Sequence, residues 1–288
     1  MEIKVNLIGA GRVGRTLLCL LQRLPGCTIQ DVLSPRLQSA QDAVTFAGAG
    51  RAISDYAKLR PADLWIIATP DTQIEAAAAS IANAFEPRKA NTPAPIAFHC
   101  SGFFPAQQMV PLRDLGWHLA SVHPVLSFAD PQDAMAQFEG TYCGIEGDAE
   151  ALKILAPLMS KLGAQPFEIR SDSKSLYHAA AVISNNFAVV LQAIARDAWA
   201  ASGVPDNIAQ QLNEKLLKAT YENVVAKGPW EALTGPAARG DTLVVTQQGE
   251  DVARWDPAAG KLYKDLSRIA RNLKAGASTG TLLTEHTE

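Results

Sequence analysis

Three residues in one helical stretch could do chemistry together. Lys174, His178 and Asn185 stand at i, i+4 and i+11, so on a helix turning about 100° per residue they fall within about 40° of one another. A cation, an imidazole and an amide aligned among Ala, Val and Ile would be costly to bury against nothing. The stripe makes Lys174 and His178 candidates for proton transfer and Asn185 a candidate for orienting a substrate. Partial burial would lower the Lys174 pKa toward a working pH, and Ala181, at i+7, leaves room beside the stripe. The bland alternative puts Lys174 and His178 in exposed first turns and gives Asn185 a helix–helix hydrogen bond.

Two further segments are candidates for holding substrate. His123-Pro124 follows an apolar strand-like run, so His123 could point into a cleft at a carboxyl strand end. In Leu233-Thr-Gly-Pro-Ala-Ala-Arg-Gly-Asp241, glycine and proline punctuate Thr234 and Arg239; such a loop could clamp a carboxylate through Arg239, while Asp241 could simply cap the next helix.

The N-terminus carries Gly9-Ala10-Gly11-Arg12-Val13-Gly14 directly after the apolar run Lys4–Ile8. The glycines of such a fingerprint serve three steric needs, namely a tight turn, close approach of the backbone to a pyrophosphate, and tight helix–strand packing. The helix that follows meets the phosphates with free N–H groups and its positive dipole end. About 20 residues after the last glycine, an NAD site would place Asp or Glu on the ribose hydroxyls, but this chain has Ser34, Pro35 and Arg36. A hydroxyl and a guanidinium suit a 2′-phosphate, so NADP is the predicted cofactor; Asp31 competes but lies earlier, within the strand. Thr69-Pro70 and Ser101-Gly102 end two more strands, where ligands of open α/β sheets sit, and His99 reads equally well as a buried strand residue.

These residues need a scaffold, and the first half supplies one by alternating strands with helices. Strands are predicted at Lys4–Ile8, Thr28–Leu33, Ala52-Ile53, Leu64–Ala68, Ile96–His99, Leu119–Val122, Tyr142–Ile145 and Pro166–Ile169. Helices are predicted at Gly14–Leu24, Leu37–Ala47, Ile74–Phe85 and Glu150–Leu162. This is an α/β chain with a Rossmann-type, doubly wound, mostly parallel sheet. After Arg170 the pattern turns helical: a run from Ser171 to about Ala201, a second helix to about Ala226 stopped by Gly228-Pro229, and a last helix at Lys261–Leu273. Thr242–Thr246 looks strand-like by propensity alone. The end from Gly276, rich in Gly, Ser and Thr, predicts fraying. The expected domains are 1–170, binding the dinucleotide, and 171–288, binding substrate and dimerising.

The 288 residues are 48% hydrophobic with a formal charge of −3, which gives no electrostatic footprint for nucleic acid and excludes disorder for most of the chain. Cys19, Cys27, Cys100 and Cys143 show no zinc spacing, so no metal is expected. No secretory signal fits the N-terminus, and 178–201 holds Asn185, Asn186, Gln192, Arg196 and Asp197, too many polar groups for a membrane span. A cytoplasmic protein is expected.

The glycine fingerprint, Ser34 with Arg36, His123-Pro124, Lys174-Ser-Leu-Tyr-His178 with Ser184-Asn185-Asn186-Phe187, and Leu-Thr-Gly-Pro-Ala-Ala-Arg-Gly-Asp together resemble a bacterial oxidoreductase family. It pairs a Rossmann-like domain with a helical C-terminal domain of unknown function. More distantly the chain is similar to the 6-phosphogluconate dehydrogenase superfamily, including ketopantoate reductase, β-hydroxyacid dehydrogenases and pyrroline-5-carboxylate reductase. The β-hydroxyacid and ketopantoate branches carry a catalytic Lys with Asn four residues later. Lys174 matches that Lys, but His178 replaces the Asn. The resemblance also implies a helix over 242–253, against propensity, and a homodimer built on the helical domain. The function expected is NADP-dependent reduction of a small oxo-carboxylate in an interdomain cleft. Imine reduction, dehydrogenation of a prephenate-like acid and a non-catalytic NADP-binding sensor are the alternatives.

Overall fold

The computed structural model describes residues 2–276; the terminus predicted to fray lies outside them, from residue 277 onward. The chain divides into two compact units, one running to Ile183 and the other starting at Ser184.

The first unit is built on eight strands: β1 (Ile3–Ile8), β2 (Cys27–Leu33), β3 (Arg51–Ile53), β4 (Leu64–Ile67), β5 (Ile96–His99), β6 (His118–Pro124), β7 (Tyr142–Gly147) and β8 (Gln165–Glu168). They form one sheet in the order β3-β2-β1-β4-β5-β6-β7-β8. Every pairing is parallel except β6 with β7. The doubly wound sheet expected from strand–helix alternation is therefore present. Side chains alternate between two cores, as the two-residue period of a strand requires. Leu7, Leu64, Ile66 and Phe98 pack on one face, and Ile8, Trp65, Ile67 and Ala97 on the other. Burial on both faces explains why β4 reads as an unbroken apolar run. Trp65 anchors the second core, its ring centroid 4.9 Å from that of Trp117 and 5.2 Å from that of Phe85.

The helices of this unit are α1 (Arg12–Gln22), α2 (Leu37–Ala47), α3 (Ile74–Ala84), α4 (Pro131–Ala136), α5 (Ala149–Lys161) and α6 (Lys174–Ser184). α1 starts two residues earlier than predicted, which puts Arg12 and Val13 in its first turn behind Gly11 as N-cap. The sheet unit also extends beyond residue 170, because α6 is fixed to the sheet through Lys174, which is buried and bonded to Ser101 and Ser121.

The second unit is helical: α7 (Asn186–Ala201), α8 (Asp206–Ala232), α9 (Pro236–Arg239), α10 (Thr242–Trp255) and α11 (Pro257–Lys274). Two expectations are corrected here. The single run from 171 to 201 breaks at Asn185, whose φ of −110° and ψ of −66° separate α6 from α7. Gly228, at φ 75° and ψ 166°, breaks the helical path within α8, at the Gly228-Pro229 stop that the sequence predicts. Thr242–Thr246 is the start of α10 and not a strand. There Gly240 turns left-handed (φ 79°) to cap α9, and Gly260 lets α11 pack closely, since a Cβ on it would meet Ala253 Cα at 2.5 Å. By length and a mean hydropathy of 1.4 alone, Ser171–Ala201 is apolar enough to cross a membrane, against the expectation drawn from its polar residues. Its first turns are nevertheless tied to the sheet by the Lys174 amine.

Candidate functional site

The glycine turn divides its labour by residue. Gly9 sits at φ 103°, and a Cβ there would lie 2.5 Å from the carbonyl oxygen of Ala68 at the end of β4, so only glycine allows that approach. Gly14 faces its own turn, with a Cβ position 2.2 Å from the Gly9 carbonyl oxygen and 3.3 Å from Leu7. Gly11 has nothing within 4 Å of its Cβ position. The turn is thus closed toward the protein at Gly9 and Gly14 and open at Gly11, where the first N–H groups of α1 have no helical partner.

At the end of β2, Ser34 is buried and its backbone N–H donates to the Ile53 carbonyl at 3.2 Å. Arg36 is exposed at the start of α2. The competing acid is already committed. Asp31 is fully buried, and its carboxylate accepts from Arg60 at 2.7 Å and Arg51 at 2.9 Å, and from the Arg60 backbone N–H at 2.9 Å. Burial would raise its pKa, but the two guanidinium groups outweigh that and hold it below the ordinary carboxylate value. No oxygen of Asp31 is left over for a ribose.

Thr69 closes the cradle at the end of β4. Its hydroxyl is buried with no hydrogen-bond partner among the described residues, and it lines a small cavity with Gly9, Pro35, Tyr56 and Gln73. A buried, unsatisfied hydroxyl is costly, and a ligand hydroxyl or phosphate oxygen in that cavity would satisfy it. The open Gly11, the orphaned Thr69 hydroxyl and the carboxylate-free end of β2 together fit a dinucleotide. Pro70, exposed, leads on to Asp71, whose carboxylate accepts from the Ser101 hydroxyl at 2.8 Å and ties the loop after β4 to the turn after β5.

That second turn is the chemical centre of the unit. The Ser101 hydroxyl accepts from the backbone N–H groups of Phe103 and Phe104, at 3.1 and 3.0 Å. His99 beneath it is a buried strand residue: Nε2 donates to the Pro105 carbonyl at 3.0 Å, and Nδ1 accepts from the Ser101 N–H at 3.2 Å. Burial, reinforced by the Lys174 charge, lowers the His99 pKa to about 4. The Lys174 amine donates to the Ser101 carbonyl at 2.9 Å and to the Ser121 hydroxyl, with Glu146 at 3.9 Å. At 1% exposure the amine lies under the turn. This differs from the expected placement beside a reacting carbon, because two of its donors are spent on protein oxygens. The predicted direction of its pKa is met: burial, opposed by Glu146, pulls it down to about 8.

Two imidazoles close on Gly102. A Cβ there would stand 2.5 Å from His178 and 2.8 Å from His123 Nε2, and the two ring centroids are 5.8 Å apart. His123 Nδ1 is 2.9 Å from the Tyr177 hydroxyl. Burial, with the charges of Lys174 and His178, lowers the His123 pKa to about 4, and burial raises that of Tyr177 to about 12. The register explains the assembly: Ser121 lies opposite Glu146, and His123 opposite Gly144, across the antiparallel β6–β7 pair. Lys174 of α6 meets the first level, and Tyr177, one turn on, meets the second.

The structure gathers Lys174, His178, His123, Ser101 and Gly102 in the sheet unit. Asn185, Thr234 and Arg239 belong to the helical unit. Asn185 is exposed at the helix break, so it does not continue the α6 stripe. Thr234 is exposed, and the Arg239 guanidinium is paired with Asp241 at 2.8 Å, which leaves it a weaker carboxylate clamp than expected. Asp241 itself makes no side-chain cap to α10. Sequence reasoning gave no role of their own to Asp71, Ser121, Glu146 and Tyr177. Only two spacings, Ser121 two residues before His123 and Tyr177 three residues after Lys174, carried a trace of them.

Residues 141–270 match the family model described as a domain of unknown function, DUF2520. No curated protein matches the chain. Among solved structures, TM1727 from Thermotoga maritima is 25% identical with a TM-score of 0.73, covering 94% of this chain and 98% of that one. BF3122 from Bacteroides fragilis, named provisionally as an NADP oxidoreductase, is 24% identical with the same TM-score and coverage. The pyrroline carboxylate reductase of Plasmodium falciparum, solved with NADP bound, is 12% identical at a TM-score of 0.55, covering 94% and 98%. Over nearly its whole length this chain has the fold of Rossmann-type oxidoreductases that carry a helical C-terminal region, the resemblance its motifs indicated.

Proposed function

We propose that the protein is an NADP-dependent oxidoreductase that reduces a small oxo-carboxylate. The observation that carries this reading is the pair of imidazoles closed on Gly102, one strand along from the orphaned Thr69 hydroxyl and two from the Gly9–Gly11 turn. Gly11 with Arg12 and Val13 of the first helical turn would receive the pyrophosphate, and Ser34 with Arg36 the 2′-phosphate. Pro70 and the Ser101-Gly102 turn would flank the nicotinamide end. Bound there, the reduced cofactor supplies a hydride to the carbonyl carbon.

The chain's own residues complete the reaction. His178, half-exposed beside Gly102, gives the proton that turns the reduced oxygen into a hydroxyl and regains one from solvent. Lys174 acts through Ser101, holding the turn in place. The relatives' names support this chemistry, since they include an NADP-bound reductase of a cyclic imino acid, and imine reduction is the nearest alternative substrate class. Leu176, Ile183, Phe187 and Val189 are exposed along α6 and α7, which supports a homodimer as the assembly; sedimentation would give twice the 30.7 kDa chain mass.

The test is loss of absorbance at the NADPH band against a panel of 2-oxo acids, 3-oxo acids and cyclic imines. At least one oxo acid should be turned over, and His178→Asn should slow it about 100-fold. Tight NADPH binding with no turnover of any panel member would overturn this reading in favour of a nucleotide sensor.

A further inference from the structure

Tyr177 has no role in the scheme above, yet its surroundings are specific. Its hydroxyl stands 2.9 Å from His123 Nδ1, and no other partner for it is found among the described residues. The strand across from His123 makes space for it: a Cβ on Gly144 would fall 2.6 Å from that hydroxyl. The ring is held at the edge of Phe167, with centroids 6.2 Å apart, and edge-on to His123 at 5.5 Å. A phenol O–H both donates and accepts, and Nδ1 is the one neighbour among the described residues to which Tyr177 can donate. With the phenol donating, Nδ1 is the acceptor and the ring proton is left on Nε2. That nitrogen lies against Gly102 and meets no protein acceptor among the described residues.

We propose that Tyr177 is a positioning residue that holds His123 as the Nε2–H tautomer, so that the site presents a neutral donor to a substrate acceptor, a carbonyl oxygen rather than an iminium nitrogen. This rests on the reductase reading and narrows its substrate class. A neutral imidazole donor can polarise a carbonyl without adding a charge beside the Lys174 amine. An iminium N–H offers a second donor at the same point and would face the His123 N–H with no acceptor between them.

The tautomer can be read without any substrate. In the full chain carrying ¹⁵N-labelled histidine, long-range ¹H–¹⁵N correlation, assigned with His123→Gln, should show His123 Nδ1 unprotonated and Nε2 protonated. In Tyr177→Phe, which keeps the ring, the two nitrogens should move toward a mixed-tautomer average. A wild-type ring protonated at Nδ1, or a spectrum unchanged by Tyr177→Phe, overturns the positioning role. In the NADPH assay, Tyr177→Phe should lower kcat for an oxo acid at least tenfold with KM within twofold. Cyclic imines turned over as fast as oxo acids by the wild type would overturn the substrate class. If nothing oxidises NADPH while the tautomer result holds, the reductase reading fails and the Tyr177–His123 lock stands.

Discussion

The amine of Lys174 donates to the carbonyl of Ser101 at 2.9 Å, so a residue of α6 sets the turn that carries Gly102. The same amine bonds the Ser121 hydroxyl and lies 3.9 Å from Glu146, whose two oxygens also accept from the Ala106 N–H and the Ser171 hydroxyl. One buried cation thereby joins β5, β6, β7 and α6 beneath the site. A Lys at this position in a Rossmann-type fold invites assignment as a proton donor, but here two of its three donors are spent on the frame of the site.

Removing that cation should cost stability before it costs chemistry. Lys174→Met keeps the volume but leaves the enclosed Glu146 carboxylate without its cation and the Ser101 carbonyl without its donor. Breaking a buried pair this way costs about 3 kcal/mol. Guanidinium denaturation should show that loss, and adding Glu146→Gln should recover at least half of it. Turnover of an identified substrate should fall as the Ser101–Gly102 turn loosens; activity within threefold of wild type would remove Lys174 from the site altogether.

Acid should destabilise the sheet unit through its buried histidines. His99 and His123 are both held down to about 4, chiefly by burial, against 6.5 for a free imidazole. Between these values the unfolded chain binds protons that the native chain refuses, so stability rises with pH across the window and is lost as pH falls from 6.5 toward 4. The loss is about 3 kcal/mol for the fully enclosed His99 and smaller for His123. Denaturation midpoints measured across that range should decline steadily, and His123→Gln should make the decline shallower. A flat profile would mean that both rings charge freely in the folded protein.

The last two glycines of the fingerprint should separate folding from cofactor binding. An alanine methyl at Gly14 would stand 2.2 Å from the Gly9 carbonyl oxygen, so Gly14→Ala should destabilise by about 1–3 kcal/mol, as overpacking does. At Gly11 the same methyl meets nothing within 4 Å, and φ there is −76°. Gly11→Ala should therefore melt like the wild type and yet bind NADPH at least tenfold more weakly, because the methyl occupies the approach to the pyrophosphate. Paired melting and fluorescence titration distinguish the two effects.

Much of this architecture was legible in the residues. Leu37–Ala47 and Ile96–His99 have the predicted bounds, because a helix ended by Gly48 and a fully buried four-residue strand leave little latitude. The glycine turn was readable because its steric demands are local. The stripe through Asn185 was not, since periodicity presumes a continuous helix and the chain breaks there. Thr242-Leu-Val-Val-Thr read as a strand on propensity, but it opens α10, whose later turns pack on α11 through Gly249 and Ala253. The meeting of Lys174 with Ser121 and Glu146, and of Tyr177 with His123 and Gly144, depends on β7 running antiparallel to β6. A reversal of strand direction has no signature in residue order.

Cofactor choice rests on what the end of β2 lacks. With Asp31 bound by Arg51 and Arg60, no carboxylate there repels a 2′-phosphate, and Arg36 is exposed one residue past Pro35. NADPH should bind at least tenfold more tightly than NADH, which corresponds to about 1.4 kcal/mol. Arg36→Ala should remove most of that difference by weakening NADPH alone, since NADH has no phosphate for the guanidinium to grip. Raising salt should have the same selective effect, because an exposed ion pair is screened. Equal affinities in the wild type, measured by titration of intrinsic fluorescence, would instead make Arg36 an ordinary solvated residue at the start of α2.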